Sequence, residues 1–240
     1  MLTDRTRLVS VLQESRFLGA LGSEALLDLA GRSRVQRYRS GDLIFAKGSS
    51  GDYAVVVLSG RVKIVSVSPQ TGTEIILNLI DPGHVFGELA LLDGQPRCAD
   101  AIALTRTEVL ILGRREFLGT LKQDFSAMQR LMEVLCAKVR ETTAFVEGTA
   151  LLDAGARLLD RLLALADRYG TRTESTHGVR IEHGLSQGQL GESVGLTRVS
   201  VNRQLAAWRQ RGLIEHGKGY VLVHDARALR EAVMPSGALA

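Results

Sequence analysis

The chain has little of what stabilises small secreted domains or crosses membranes. Its 240 residues include two cysteines, four prolines and one tryptophan. Cys98 and Cys136 form no CxxC pair, which excludes a disulfide scaffold and a four-thiolate zinc or iron–sulfur site. The longest apolar run, YAVVVL from Tyr53, is far shorter than the ~20 residues of a membrane-spanning helix, and charges interrupt the N-terminus where a signal peptide is apolar. We therefore expect a cytoplasmic protein with no membrane segment.

What is present is typical of globular domains. Hydrophobic residues make up 45% and charged residues 23% of the chain, enough for one large or two modest domains. The net charge is +4, and most of it lies late in the chain. Residues 151–240 contain 12 Lys and Arg against 9 Asp and Glu, whereas residues 1–150 contain 18 against 17. This excess suggests an anionic partner for the last third.

Short apolar runs dominate residues 38–112. They are YAVVVL, RVKIVSV, TEIILNLI, AIAL and EVLIL, separated by turn residues such as Gly60, Gly72 and Pro82-Gly83. Strand-sized runs at this spacing predict an antiparallel β-sandwich or barrel. The first 35 residues predict a short helical cap.

A helical period follows Gly113. Apolar residues and threonines alternate at steps of four and three, the spacing of a coiled-coil seam: Met128, Met132, Leu135, Val139, Thr142, Val146 and Thr149. The period alone leaves open a helix packed on its own domain. The narrow seam and its threonines favour a dimerisation helix. Because polar seam residues cost stability, Thr142 and Thr143 are also candidates for a ligand contact.

Residues 185–214 predict two short helices joined by a turn. Ser186 and Gln189 have the spacing of a capping box, Gly195 marks the turn, and Thr197 is a candidate N-cap for the second helix. Apolar side chains at inward-facing positions would pack the two helices together: Leu190, Val194, Leu196, Val201, Leu205 and Trp208.

The second helix carries residues suited to DNA. Its early turns present Arg198, Asn202 and Arg203, and such side chains bind guanine and adenine in the major groove. A helical hairpin with a solvated basic face is the alternative. The following segment, IEHGKGYVLVHD, predicts a β-hairpin. Two helices and a hairpin together favour a winged helix-turn-helix that binds double-stranded DNA.

A short helix, ELALLD, interrupts the strand-like region between Gly87 and Gly94. Arg97 follows it, and its guanidinium suits two phosphate oxygens, with help from the N–H groups of Cys98 and Ala99. Glu88 would repel a phosphate but can accept a hydrogen bond from a sugar hydroxyl. A Glu88–Arg97 salt bridge without any ligand is the equal alternative.

These segments together resemble a known family. FGELALL…RCA looks like the phosphate-binding cassette of cyclic-nucleotide-binding domains, and SxxQLxxxxGLTRxxVNRxL is similar to the helix-turn-helix of the Crp–Fnr family of bacterial transcription factors. The resemblance covers roughly residues 15–224. It implies an α+β fold with a jelly-roll cyclic-nucleotide-binding domain and helical cap (1–115), a dimerisation helix (116–150) and a winged helix-turn-helix domain (151–240).

The resemblance also implies roles for individual residues. Gly87 and Glu88 would contact the ribose 2′-hydroxyl, Arg97 and Cys98 the cyclic phosphate, and Thr142 with Thr143 the purine. Leu89 and Ala99 complete the expected ligand site. The expected DNA-binding residues are Ser186, Gln187, Thr197, Arg198, Val199, Ser200, Asn202 and Arg203.

Two departures from the family pattern affect specificity. Cys98 stands where the family has Ser or Thr, and its thiol is a weaker donor, so the choice between cAMP and cGMP is open. Val199 replaces an acid that would read cytosine and suits a thymine methyl instead.

The resulting hypothesis is a cytoplasmic, homodimeric transcription regulator that is not an enzyme. It binds cAMP or cGMP, with no metal, as an allosteric ligand, recognises a palindromic operator and contacts RNA polymerase. An effector-independent regulator, or one with another ligand, is the nearest alternative, and Cys98 could also be a redox-sensitive thiol. A cupin-like metalloenzyme is a distant one, since His84 is the only histidine of the β-region. The tail after Leu229 carries no readable signal.

Overall fold

The computed structural model describes residues 2–15, 18–173 and 178–233. They fall into two compact units, residues 1–141 and 142–240. The helices are α1 (Leu2–Glu14), α2 (Ser23–Arg32), α3 (Glu88–Asp93), α4 (Arg114–Gln123), α5 (Phe125–Leu151), α6 (Ala154–Tyr169), α7 (Gln187–Glu192), α8 (Arg198–Gln210) and α9 (Ala226–Val233), with a 3-10 turn at Leu18–Ala20. The strands of the first unit are β1 (Arg34–Tyr38), β2 (Leu43–Phe45), β3 (Tyr53–Ser59), β4 (Val62–Val67), β5 (Glu74–Ile80), β6 (Val85–Phe86), β7 (Asp100–Ala103) and β8 (Thr107–Gly113). Those of the second are β9 (Gly170–Arg172), β10 (Val179–Ile181), β11 (Ile214–Gly217) and β12 (Tyr220–Val223).

The first unit is built on two antiparallel four-stranded sheets. Their strand orders are β1-β8-β3-β6 and β2-β7-β4-β5. The predicted β-sandwich is therefore confirmed, and α1 and α2 form the expected helical cap.

Strand β3 is buried on both faces, which explains its unbroken apolar run. Val55 and Val57 point into the sandwich with Phe45 and Phe86, whereas Ala54, Val56 and Leu58 join a core with the helices. A strand covered on both faces needs no polar alternation.

The predicted helix over 116–150 is divided in the structure. Helix α4 ends at Gln123, and the Asp124 carboxylate accepts hydrogen bonds from the N–H groups of Ser126 and Ala127 at 2.9 and 3.2 Å. An aspartate that satisfies the first free N–H groups of a helix favours a new start there. Helix α5 therefore begins at Phe125 and runs for 27 residues.

The second unit packs its helices against a small antiparallel sheet of order β11-β12-β10-β9. Its buried apolar residues come mainly from α6, α8 and the β11–β12 hairpin, and include Leu158, Leu162, Leu205, Trp208 and Val221. The hairpin was predicted and is confirmed. Helix α9 extends past Leu229 to Val233, and the remaining tail, 234–240, lies outside the described residues.

Candidate ligand and nucleic-acid sites

The short helix α3 is held between two glycines. Gly87 has φ +76° and precedes the helix, and Gly94 has φ +75° and follows it. A Cβ atom on Gly87 would lie 2.6 Å from Nη1 of Arg97. Position 87 thus requires glycine, because its backbone is left-handed and because the arginine leaves no room for a Cβ atom. We refer to residues 87–99 as the cassette.

Arg97 is buried in the cassette, with 3% of its surface exposed. Its Nη1 donates to the Gly87 carbonyl oxygen at 2.5 Å, and its Nη2 donates to that of Tyr53 at 2.6 Å. The guanidinium carbon lies 4.2 Å from the centre of the Phe45 ring and 4.6 Å from that of Tyr53. Burial lowers the pKa of Arg97 from its ordinary value, partly offset by Tyr53, Asp52 and Glu88. The group nevertheless stays cationic because arginine has a very high intrinsic pKa.

Glu88 is the second buried charge of the cassette, with 2% of its surface exposed. Its Oε1 accepts a hydrogen bond at 2.6 Å from Nζ of Lys138 on α5. Glu88 therefore forms its ion pair with Lys138. The Glu88–Arg97 salt bridge, which the sequence offered as an alternative, is not formed. Lys138 lies 50 residues from Glu88 in the chain, and no sequence motif marked it.

The loop after Arg97 presents two backbone donors. Arg97 itself is fixed on both sides, since its N–H donates to Ser49 O and its carbonyl accepts from Gly48 N. The N–H groups of Cys98 and Ala99 have no hydrogen-bond acceptor among the described residues. Cys98 is exposed and Ala99 is buried.

Unpaired polar atoms suit the cassette to a ligand that carries both an anion and a hydroxyl. Oε2 of Glu88 and Nε of Arg97 are buried without a hydrogen-bond partner among the described residues. Such atoms carry a desolvation cost, which a bound polar group relieves. A carboxylate oxygen suits a hydroxyl, and a guanidinium whose Nε–H has no partner in the described chain suits a phosphate.

The remaining predicted ligand residues are exposed. Leu89 on α3 has 45% of its surface accessible. Thr142 and Thr143 are both exposed on α5, in the second compact unit.

The predicted seam of α5 is mostly exposed in the single chain. Met132, Val139 and Val146 have 48%, 66% and 59% of their surface accessible, and Thr142 and Thr149 are also exposed. Leu135 differs, since it is partly buried against the core of the first unit. An apolar stripe of this kind on one helix face is typical of an interface.

Both predicted helix caps of the helix-turn-helix are confirmed. Ser186 accepts from Gln189 N–H and Gln189 Oε1 accepts from Ser186 N–H, which is a complete capping box. Thr197 Oγ1 accepts from the N–H of Ser200 at the start of α8. Gly195, with φ +66°, makes the turn between them.

Helix α8 divides cleanly into a buried and an exposed face. Its buried side chains are Val201, Leu205 and Trp208. The predicted DNA-binding residues Arg198, Val199 and Arg203 are exposed, and Val199 has 76% of its surface accessible. Gln187, Ser200 and Asn202 are half-buried, while Ser186 and Thr197 are exposed. Val199 is an apolar side chain that lies among arginines and is exposed to water. Such a side chain suits an apolar contact with a base.

A groove between α7, α8 and the hairpin adds residues that the sequence motifs did not mark. Its volume is about 560 Å³, and its lining includes Arg198, His216 and Lys218. Burial lowers the pKa of His216 from 6.5, and Arg209 adds to the effect. Residues of the hairpin and Arg198 at the start of α8 line the same groove, a proximity that no linear motif encodes.

No group of three or more His, Cys, Asp or Glu side chains suited to a metal occurs among the described residues. Over the same ranges, no helix is long and apolar enough to cross a bilayer.

Two sequence profiles match the two parts of the chain. The cyclic nucleotide-binding domain matches residues 35–124, and the Crp-like helix-turn-helix domain matches residues 156–232. The fold and both sites therefore define a regulator that joins a cyclic nucleotide-binding domain to a DNA-binding helix-turn-helix.

Several known proteins are similar to this chain over most of its length. The CRP-like cAMP-activated global transcriptional regulator of Mycobacterium tuberculosis is 31% identical over 79% of this chain and 83% of its own length. The global nitrogen regulator of Synechocystis sp. is 30% identical over 88% of this chain and 91% of its own. The structure of FixK2 from Bradyrhizobium japonicum has a TM-score of 0.72 at 20% identity, covering 83% of this chain and 96% of that one, and supports the fold alone.

The chain belongs to the CRP/FNR family of transcription regulators, as the sequence motifs predicted. It is a DNA-binding transcription regulator with a cyclic nucleotide-binding domain.

Proposed function

We propose that this protein is a homodimeric regulator whose DNA binding responds to cAMP, with cGMP as the second candidate ligand. The observation that carries the proposal is the pair of buried, incompletely satisfied charges in the cassette, Glu88 and Arg97. They lie within the part of the chain that matches cyclic nucleotide-binding domains. The M. tuberculosis relative is named as cAMP-activated, which supports the adenine nucleotide.

We assign each part of the ligand to the polar groups of the cassette that suit it chemically. The cyclic phosphate binds the Arg97 guanidinium and the N–H groups of Cys98 and Ala99. Nη1 and Nη2 of Arg97 each donate one hydrogen bond to a carbonyl oxygen, so the phosphate binds the N–H donors of the guanidinium that these two bonds do not use. The ribose 2′-hydroxyl donates to Oε2 of Glu88, while Lys138 keeps Oε1. Thr142 and Thr143 provide hydroxyl groups for the purine.

A second copy of this chain packs against the seam of α5. Association would bury the exposed Met132, Val139 and Val146, which solvent now contacts. Two recognition helices α8 then bind half-sites of a palindromic operator whose centres are about 34 Å apart, one turn of DNA. Arg198 and Arg203 read guanines, Asn202 reads adenine, and Val199 contacts a thymine methyl. DNA-bound protein would in turn contact RNA polymerase.

The ligand changes DNA affinity only by binding one arrangement of the dimer better than another. Helix α5 carries both Lys138, which holds Glu88, and the threonines proposed for the purine. A ligand at these groups therefore favours one placement of α5. Two residues separate the end of α5 from the start of α6, and Asp153 is the N-cap of α6, so we propose that a shift of α5 is passed to the DNA-binding unit.

Isothermal titration calorimetry with cAMP and cGMP tests the proposal. We expect cAMP to bind, and Arg97→Ala to abolish binding because it removes the only side-chain cation assigned to the phosphate. Arg61→Ala is the matched control, since Arg61 is a half-buried arginine of the same unit that pairs with Asp81 at 2.8 Å. Arg97→Lys keeps the charge without the planar fork and should bind weakly, which separates lost recognition from lost folding. Dissociation constants above about 100 μM for both nucleotides would overturn the ligand assignment.

A regulator that needs no nucleotide is the second candidate. It is favoured by the contacts that already hold the cassette, since Arg97 binds two carbonyl oxygens and Glu88 binds Lys138. Fluorescence anisotropy with operator DNA distinguishes the two. Equal DNA affinity with and without saturating cAMP favours the second candidate.

A further inference from the structure

Cys98 is an exposed thiol between two buried residues of the cassette. Arg97 and Ala99 are each 3% exposed, whereas Cys98 is an exposed residue with a free thiol. Its own N–H and that of Ala99 are without acceptors in the described chain. The exposed cysteine therefore carries one of the two N–H groups assigned to the phosphate and is the chain neighbour of the residue that carries the other.

The second observation at this place concerns Glu88 and Arg97. Oε2 of Glu88 and Nε of Arg97 are buried without partners in the described chain, in residues that are 2% and 3% exposed. These atoms indicate that a polar ligand belongs in the cassette, independently of the cysteine. A group attached to Cys98 would stand beside that ligand.

We propose that Cys98 is a thiol-modification site and that its modification closes the cassette to the cyclic nucleotide. This inference rests on the proposed function. The modifying class is a low-molecular-weight disulfide such as oxidised glutathione. The Cys98 thiol gives its proton to solvent, and the thiolate attacks one sulfur of the disulfide. A mixed disulfide forms, the original S–S bond breaks, and the departing thiolate takes up a proton.

The consequence follows from size and charge. A glutathionyl group brings carboxylates next to Arg97 and fills the space in front of the Cys98 and Ala99 N–H groups. It competes with the phosphate for the same cation and excludes it sterically. A thiol reductant reverses the exchange, so closure of the cassette is reversible.

Cys136 provides the matched comparison within the chain. It is the other cysteine and is also exposed, but it lies on α5 outside the cassette. Three proteins are compared: the full chain, Cys136→Ser, which keeps only Cys98, and Cys98→Ser, which keeps only Cys136. Each is treated with oxidised glutathione, its modification is counted by intact mass, and cAMP binding is measured by calorimetry before treatment, after it and after dithiothreitol.

We expect treatment to weaken cAMP binding by more than about tenfold in the full chain and in Cys136→Ser, with recovery after reduction. Cys98→Ser should bind cAMP with the same affinity before and after treatment, although its Cys136 takes up one adduct. Equal binding before and after complete modification of Cys98 overturns this inference and leaves the proposed ligand intact. Failure of the untreated full chain to bind cAMP or cGMP overturns the ligand assignment, and this inference with it.

Discussion

The two charges of the cassette are buried separately, and each has a different kind of partner. Arg97 is held by carbonyl oxygens and aromatic rings, and Glu88 by an ammonium group from a distant helix. A buried charge costs free energy unless hydrogen bonds compensate for it. Both residues retain one polar atom without compensation among the described residues. The cassette therefore has one acceptor and one donor that can form hydrogen bonds with a ligand.

At the proposed DNA-binding surface, we expect single residues to act through specific contacts with bases. Replacing Arg203 by Ala should cost about 1–3 kcal/mol at the cognate operator and relax its specificity, because a bidentate guanine contact is lost. Quantitative footprinting on the cognate and base-substituted operators measures this change. The matched control is Arg227→Ala, an exposed arginine on α9 that pairs with Glu231 at 2.9 Å. Unchanged footprints for Arg203→Ala would refute the base-reading role.

Helix α5 has one face that packs against the first unit and another that is exposed. Ala127 and Leu131 are buried against the first unit, and Lys138 holds the cassette glutamate. Met132 and Val146 point elsewhere and remain exposed. A helix that packs through one face and leaves an apolar seam on another is suited to bind a second copy of itself.

The seam predicts a dimer that one charge disrupts. Val146→Lys should raise the dimer dissociation constant by more than about tenfold, since a lysine there is desolvated against its symmetry mate. Analytical ultracentrifugation measures the constant. The fold of the monomer should persist, because Val146 is 59% exposed in the single chain.

Ala144→Lys is the control for this substitution. Ala144 is exposed on α5 and lies off the seam spacing, so the same charge is added to the same helix. A monomer from Ala144→Lys, or an intact dimer from Val146→Lys, would contradict the proposed interface.

The whole molecule joins a nearly neutral ligand-binding unit to a more basic DNA-binding unit. This distribution explains the small net charge, because only one of the two proposed partners is a polyanion. Coupling between the sites requires that both ligands favour the same state of the dimer.

Reciprocity is the test at this scale. If saturating cAMP raises operator affinity by some factor, saturating operator must raise cAMP affinity by the same factor, as thermodynamic linkage demands. Anisotropy measures the first effect and calorimetry the second, on an operator selected from random duplexes. The Arg97→Ala dimer should show the DNA affinity of the unliganded protein at every cAMP concentration. Unequal factors would show that one ligand also changes the state of assembly.

Sequence alone was sufficient for the local structure and for the family. The strand-sized apolar runs, the seam period, the capping box at Ser186 and Gln189, and the glycines around α3 are each defined over short stretches of sequence, so their structural meaning can be predicted from linear spacing. The break at Asp124 was missed because the seam period begins only at Met128 and does not mark the start of the helix, although the aspartate caps a new helix.

Only the tertiary structure decided which groups complete the sites. Lys138 reaches Glu88 across 50 residues, Tyr53 and Phe45 hold Arg97, and the β11–β12 hairpin carries His216 to the groove beside α8. These contacts depend on how strands and helices pack, and packing joins residues that share no spacing in the chain. The sequence by itself thus determined the β-sandwich, the seam helix, the helix-turn-helix with its hairpin, the family and the residue types of the sites. Folding decided their partners, because buried charges pair with whatever the fold brings within hydrogen-bond distance.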